Sequence, residues 1–271
     1  MSKYFFSLVF LIAVCSGGCK SDSQDEAASY PVLPIGSTAT LDVPGGYNTI
    51  QKAVMAAHTG DVIRVAAGVY TENLLIKAKN FGLRGAGKGQ TIIQGTIQIS
   101  ENSEISIEGV TVTKGGIRAK NSPVRITGNE VINNPGTGLT LQQCGSVIIS
   151  DNDIRNNGQE GIVVDESSGI IGNTRVTENA TDGIVINNAS PTLSGNSIIG
   201  NGRDGVSIRG FTYFSAPQLL ENTVQGNGGV SNYDIICFGG NTNPTGIGNL
   251  FDRCANCTEC RNFGNPATYQ N

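Results

Sequence analysis

Three acidic residues, Glu160, Asp182 and Asp204, recur 22 residues apart, and each stands directly before a glycine. Carboxylates in such a row repel unless a cation binds them, a basic neighbour offsets them, or the turns splay them into water. Calcium, which takes roughly six to eight oxygen ligands, is the ion such a row suggests. Arg203, beside Asp204, can supply the positive charge instead. A second series, Lys120, Gln142, Asp165, Asn187 and Arg209, mixes the acid and base types that proton abstraction requires. Near the C terminus stand Cys237, Cys254, Cys257 and Cys260. Their Cys-x₂-Cys-x₂-Cys run resembles an iron–sulfur motif but lacks the following Cys-Pro. Two disulfides fit an exported chain better, with three pairings open and a zinc site as the alternative. Cys144 stands apart on a turn and reads as a free thiol.

What positions these residues is a repeat. Glycine returns at Gly116, Gly138, Gly161, Gly183 and Gly205, in steps of 22, 23, 22 and 22, each followed by an apolar, any, apolar triplet. Two asparagine columns keep the same beat: Asn129, Asn152, Asn173, Asn196, Asn222, and Asn134, Asn157, Asn179, Asn201, Asn227. Repeats of this length build solenoids. Short Ile/Val runs such as Ile184-Val185-Ile186, among Gly, Asn, Ser and Thr, select strands joined by turns over helical repeats. Inward Ile and Val in place of a Leu comb favour a parallel β-helix over a leucine-rich solenoid. Stacked coils lie ~4.8 Å apart, so the glycines are expected to supply positive φ and the asparagines to bond their own turns. By strand parity, the residues one and three after each glycine point inward, Ile162 and Val164 for example. The residues two and four after it face solvent: Arg118, Thr140, Val163, Val185, Ser207, and the Lys120 to Arg209 series.

Residues 48–58 carry apolar positions at helical spacing, and Gly60-Asp61 ends them. A strand, Gly68-Val69-Tyr70-Thr71-Glu72, a further strand and Gly85-Ala86-Gly87 follow. This order resembles the N-terminal part of the pectin-lyase-like right-handed β-helix superfamily, over about residues 41–236. The resemblance implies an all-β, single-stranded right-handed parallel β-helix whose N-terminal helix plugs the bore. Lyases of that superfamily hold Ca²⁺ on outward carboxylates and use Arg or Lys as base, which makes Asp165, Arg203, Arg209 and Lys120 the catalytic shortlist and Glu160, Asp182 and Asp204 the calcium shortlist. The resemblance does not extend to the polygalacturonases. Arg118-Ala119-Lys120 matches their Arg-x-Lys element, but no Asp-Asp pair accompanies it, and the single histidine, His58, lies at the end of the helix. The Asp-Pro-His element of alginate epimerases is missing too. Copper-accessory β-helix proteins have similar repeats, but Met1, Met55 and His58 make a poor ligand set.

Between Gly82 and Gly210 there is no Phe, Tyr or Trp. Phe211-Thr212-Tyr213-Phe214 then falls in a lengthened turn, since Asn196 to Asn222 spans 26 residues. The turn reads first as the start of a hydrophobic C-terminal plug. The other reading is a ligand loop carried on Phe211, Tyr213 and Phe214.

Residues 1–18 have the layout of an export signal, and Ser16-Gly17-Gly18-Cys19 resembles a bacterial lipobox, which implies a diacylglycerol on Cys19. Residues 19–40 read as a tether, and residues 237–271 as a Cys-rich cap. Lys20 and Ser21 after the cysteine resemble outer-membrane sorting, so the expected location is the bacterial outer membrane, facing periplasm or cell surface. Membrane contact is then through the lipid alone. Net charge −4 with no basic cluster argues against nucleic acid as a partner. The expected function is a structural or carbohydrate-binding module of the envelope, without catalysis and with an envelope glycan as partner. The alternative is a polysaccharide lyase or epimerase acting on uronate polymers. No cofactor is expected, and Ca²⁺ is the ion the acid row would take.

Overall fold

The computed structural model describes residues 38–229, 232–257 and 260. The expected export signal, the expected lipidation site Cys19 and most of the expected tether lie outside them. The described chain winds into a right-handed parallel β-solenoid with three sheets. The first sheet starts at Thr40–Val43 and Asp61–Val65 and ends at Thr245–Ile247. A second runs from Gly68–Tyr70 to Leu250–Phe251, and the third from Leu74–Lys77 to Cys254–Ala255. Every pairing is parallel, and in the third sheet Ile117, Leu139, Ile162, Ile184, Val206 and Ile235 stack in one register. Strand alternation sends one set of side chains into the bore, where Ile, Val and Leu from all three sheets form one continuous core. All of the inward positions expected from the glycine register are buried, Ile162, Val164, Ile184 and Ile186 completely so.

The corners follow a rule that differs from the expected one. A residue at positive φ comes first, and a buried polar residue follows: Asn133 then Asn134, Asn156 then Asn157, Glu178 then Asn179, Gly200 then Asn201. The left-handed residue is thus the one before the column asparagine. The asparagines themselves form ladders between coils. Asn157 donates from its backbone N–H and its Nδ2 to Asn179 Oδ1, and Asn179 does the same to Asn201. Each Nδ2 also reaches a carbonyl of the preceding coil, as in Asn179 to Ile154. The ladder ends when Asn227 donates to Asp234 Oδ1, a carboxylate with no N–H to pass on. In the other column the stacked residue is Thr174, not Asn173. Thr174 is buried and donates its N–H to Asn196 Oδ1, while Asn173 takes the positive-φ position.

The repeat glycines also have a different cause. Only Gly116 among the five has positive φ. At Gly161 an added Cβ would lie 2.5 Å from Val176 Cγ1, 2.7 Å from Asn179 Nδ2 and 2.7 Å from the Gly183 carbonyl. The column is glycine because the asparagine ladder and the second sheet close onto it.

The N-terminal helix is Ile50–Ala56, with Ile50, Ala53 and Val54 buried in the core. Thr49 caps it through its side chain. Glu72 of the Gly-x-Tyr-x-Glu stretch accepts the N–H groups of Ile50 and Gln51, which accounts for an acid at that position. Gln51 then bonds both the N–H and the carbonyl of Leu75, so its amide stands in for a strand below Leu74–Lys77.

At the other end, strands continue past residue 236, through Ile235–Phe238, Thr245–Ile247, Leu250–Phe251 and Cys254–Ala255. Residues 237–255 therefore form a further coil, where the sequence suggests a separate cap. Cys237 points into the bore and pairs with Cys257, and Cys254 pairs with Cys260. Cys144 is free, but it is buried in a corner column, with its N–H donated to Ser167 Oγ and its thiol to Ala119 O and Gln142 O. Among the described residues no helix is long and apolar enough to cross a membrane.

Candidate functional site

The outer face of the third sheet carries most of the shortlisted residues. Lys120, Gln142, Asp165, Asn187, Arg209 and Phe238 follow one another up the stack. Asp165 is two rungs from Lys120 and two from Arg209, about 10 Å by strand spacing. Its nearer companions are Glu166, which follows it, and the Gln142 amide. Burial pushes the Asp165 carboxyl above the usual carboxylate range, the Glu166 charge adds to this, and the Gln142 hydrogen bond opposes it. The folded protein therefore holds a proton on Asp165 at pH values where the unfolded chain has released it. This destabilisation is present above the folded-state pKa and is relieved as pH falls through it. An Asp165→Asn variant is expected to melt higher than the parent near neutral pH, with the gap closing toward the ordinary carboxylate pKa. A gap that stayed constant from neutral to acid in thermal melts would contradict this.

Arg209 does not stand out into solvent. It folds back along its strand, donating from Nε to Ser207 Oγ at 3.1 Å and from a terminal nitrogen to Asp182 Oδ2 at 3.0 Å. The guanidinium lies 5.9 Å from the centre of the Phe238 ring. Val185 and Ser207, expected to face solvent, are both buried.

Asp182 and Asp204 are buried too, contrary to a row splayed into water. Asp182 Oδ1 accepts the Asp204 N–H at 3.0 Å and lies 3.5 Å from Arg203 Nε. Asp204 Oδ1 accepts the N–H of Tyr233 at 2.8 Å, and Glu160 accepts from Thr137 Oγ1 at 2.7 Å. Each of the two buried acids thus ties its coil to the next, and Arg203 and Arg209 supply the countercharge at Asp182. Burial pushes the Asp182 carboxyl up, against the pull of the Asp204 amide and the two guanidiniums. Among the described residues, the one grouping of acids, cysteines and histidine with metal-ligand spacing is Cys254, Cys257 and Cys260, which are engaged in the disulfides.

The lengthened turn does not begin a plug. Phe211, Tyr213 and Phe214 are 66 %, 59 % and 70 % exposed, so the alternative reading, rings presented to a ligand, is the one their placement allows. The loop is nevertheless fixed. Asn188 Oδ1 accepts the N–H groups of Phe211, Thr212 and Tyr213, and the buried Ser215 donates to the Ala189 carbonyl. Tyr213 forms one wall of a shallow cavity of about 280 Å³ at the corner between the third and first sheets. Sequence reasoning misses its other walls, Glu166, Ser168, Asn188 and Ser190, because they fall at corners where polar residues are ordinary.

Residues 95–251 match the family model described as Right handed beta helix region. A segment of 57 residues is 49 % identical to a probable pectinesterase/pectinesterase inhibitor of Arabidopsis thaliana, covering 20 % of this chain and only 11 % of that protein. Among solved structures, pectate lyase Pel9A superimposes with a TM-score of 0.55 at 14 % identity, over 87 % of this chain and 79 % of its own. The catalytic domain of a GH87 alpha-1,3-glucanase in complex with nigerose gives 0.53 at 12 % identity, over 89 % and 61 %. At such identities these likenesses concern the fold.

Proposed function

We propose the following reading of a chain that belongs to the right-handed beta-helix family: it is a glycan-binding module of the bacterial cell envelope, held at the outer membrane by a lipid on Cys19 and working without catalysis. The observation that carries it is where the shortlisted basic side chains go. An eliminative lyase needs an Arg or Lys converging with carboxylates within hydrogen-bond reach of the substrate, about 3 Å. Arg203 and Arg209 instead face Asp182, a buried acid already bonded to the backbone of the next coil. Lys120 is exposed and two rungs from Asp165. The structural neighbours, a pectate lyase and a glucanase, act on polysaccharides by name, which supports a glycan as the ligand class. The anchor rests on Ser16-Gly17-Gly18-Cys19.

Eliminative cleavage creates an ultraviolet-absorbing double bond. The full-length protein is expected to give a flat trace on pectate, alginate and other uronate polymers, with or without Ca²⁺. Absorbance growth that disappears in Arg209→Ala would establish the lyase alternative. Metabolic labelling with a tagged fatty acid should mark the parent and not Cys19→Ala, and a parent that takes up no label, or a label that survives the substitution, would remove the lipid anchor on Cys19.

A further inference from the structure

We infer that the Tyr213 corner is a binding subsite for a neutral glycan, one without carboxylate groups. The inference rests on the glycan-binding reading above and names the place and the class of sugar.

Three adjacent aromatic side chains face water in a solenoid that has no other ring between Gly82 and Gly210. Rings left out of a core by a loose loop would mean little, but this loop is held at both ends of its arc. Asn188 fixes three successive amides, Ser215 is buried and bonded to Ala189 O, and the Ser215 N–H pairs with Asn241 O of the next coil. A ring presented on fixed backbone loses little further freedom when a ligand stacks on it.

The cavity beside Tyr213 matches the two-sided chemistry of a pyranose. A sugar ring has an apolar C–H face that packs on an aromatic plane and a rim of hydroxyls that both donate and accept. Besides Tyr213, the lining includes the hydroxyl residues Ser168 and Ser190 and the amide residue Asn188. The Ser168 hydroxyl donates to Gly145 O and that of Ser190 accepts from Ala216 N, so both are oriented and keep capacity for a further bond.

Charge selects the class of sugar. Among the lining residues Glu166 is the one charged side chain, and none is Lys or Arg. Asp165 precedes it, and Arg209, the nearest guanidinium up the same row, is turned away onto Asp182. A uronate would bring its carboxylate to Glu166 with no lining cation to offset it. A hexose or pentose polymer meets no such repulsion, and Glu166 can accept from its hydroxyls.

The test is affinity electrophoresis of the full-length protein through gels containing neutral polysaccharides (glucan, xylan or mannan) or uronate polysaccharides (pectate or alginate). The expected result is retardation by at least one neutral polymer, weakened tenfold or more in Tyr213→Ala, and none by the uronates. The Tyr213 ring is exposed, so the variant should keep the parent circular dichroism and melting point, which confirms that the loss is local. Retardation by a neutral polymer that Tyr213→Ala leaves unchanged would remove the subsite while keeping the glycan reading. Tighter binding of uronates than of neutral polymers would overturn the charge argument. Failure of every polymer to retard the protein would overturn this subsite and the glycan-binding function together.

Discussion

Replacing Asn179 with alanine is expected to cost about 3–5 kcal/mol of stability, since each buried hydrogen-bonding group left without a partner costs roughly 1–3 kcal/mol. Four hydrogen bonds are lost at once: those that Asn179 Oδ1 accepts from the backbone N–H and the Nδ2 of Asn157, and those that its Nδ2 donates to the Ile154 carbonyl and to Asn201 Oδ1. The site is buried, so water does not simply replace the amide. The loss also falls in the middle of a continuous array, where each coil is held by its neighbours and a broken contact weakens both sides. Glu178→Gly, one residue earlier, is the control. Glu178 sits at φ 56°, and relief of its left-handed strain there is offset by the backbone freedom of glycine in the unfolded chain. Its stability should stay within about 1 kcal/mol of the parent. Urea unfolding followed by circular dichroism separates the two. Equal midpoints for Asn179→Ala and Glu178→Gly would show that the ladder is not what joins these coils.

That pair of positions also marks where sequence stops being a sufficient guide. The asparagine columns are visible as a beat, and their stacking from coil to coil could be anticipated. Whether a column residue or its neighbour takes positive φ is not legible, because Asn occupies both positions at Asn133-Asn134 and Asn156-Asn157. The beat therefore selects Asn173 where the structure stacks Thr174. For the glycines the column is plain and the cause is hidden. The gap that excludes a Cβ at Gly161 is made by Val176, Asn179 and Gly183, residues 15 to 22 positions away that only the winding brings near. The acid row shows the same limit in its chemistry. Spacing puts Glu160, Asp182 and Asp204 on successive coils, but burial and partners depend on Arg209 lying back over Ser207, which no local pattern encodes. The disulfide pairing, one of three open in the sequence, depends on Cys237 facing the bore.

The acid row gives the second large effect. Asp182→Ala is expected to lose about 2–4 kcal/mol, somewhat below the value for severing a fully buried ion pair because both arginines can turn to solvent. Asp182 itself is fully buried, while the Arg203 and Arg209 side chains are 48 % and 28 % exposed. The variant removes the acceptor of the Asp204 N–H and the anchor that draws Arg209 across Ser207. Asp182→Asn keeps an oxygen for that N–H and removes the charge that burial disfavours, so its loss should be smaller than that of Asp182→Ala. Arg209→Ala should cost less than Asp182→Ala, because Arg203 continues to neutralise the carboxylate. Calcium provides the decisive comparison. A row already neutralised by guanidiniums offers a dication little gain, so the melting temperature of the parent should not move when millimolar Ca²⁺ replaces a chelator. A rise with Ca²⁺ that vanishes in Asp182→Ala would mean that the ion displaces the arginines and that the row is a metal site. Release of Arg203 and Arg209 from Asp182 would then return two basic groups to the outer face and reopen the lyase alternative.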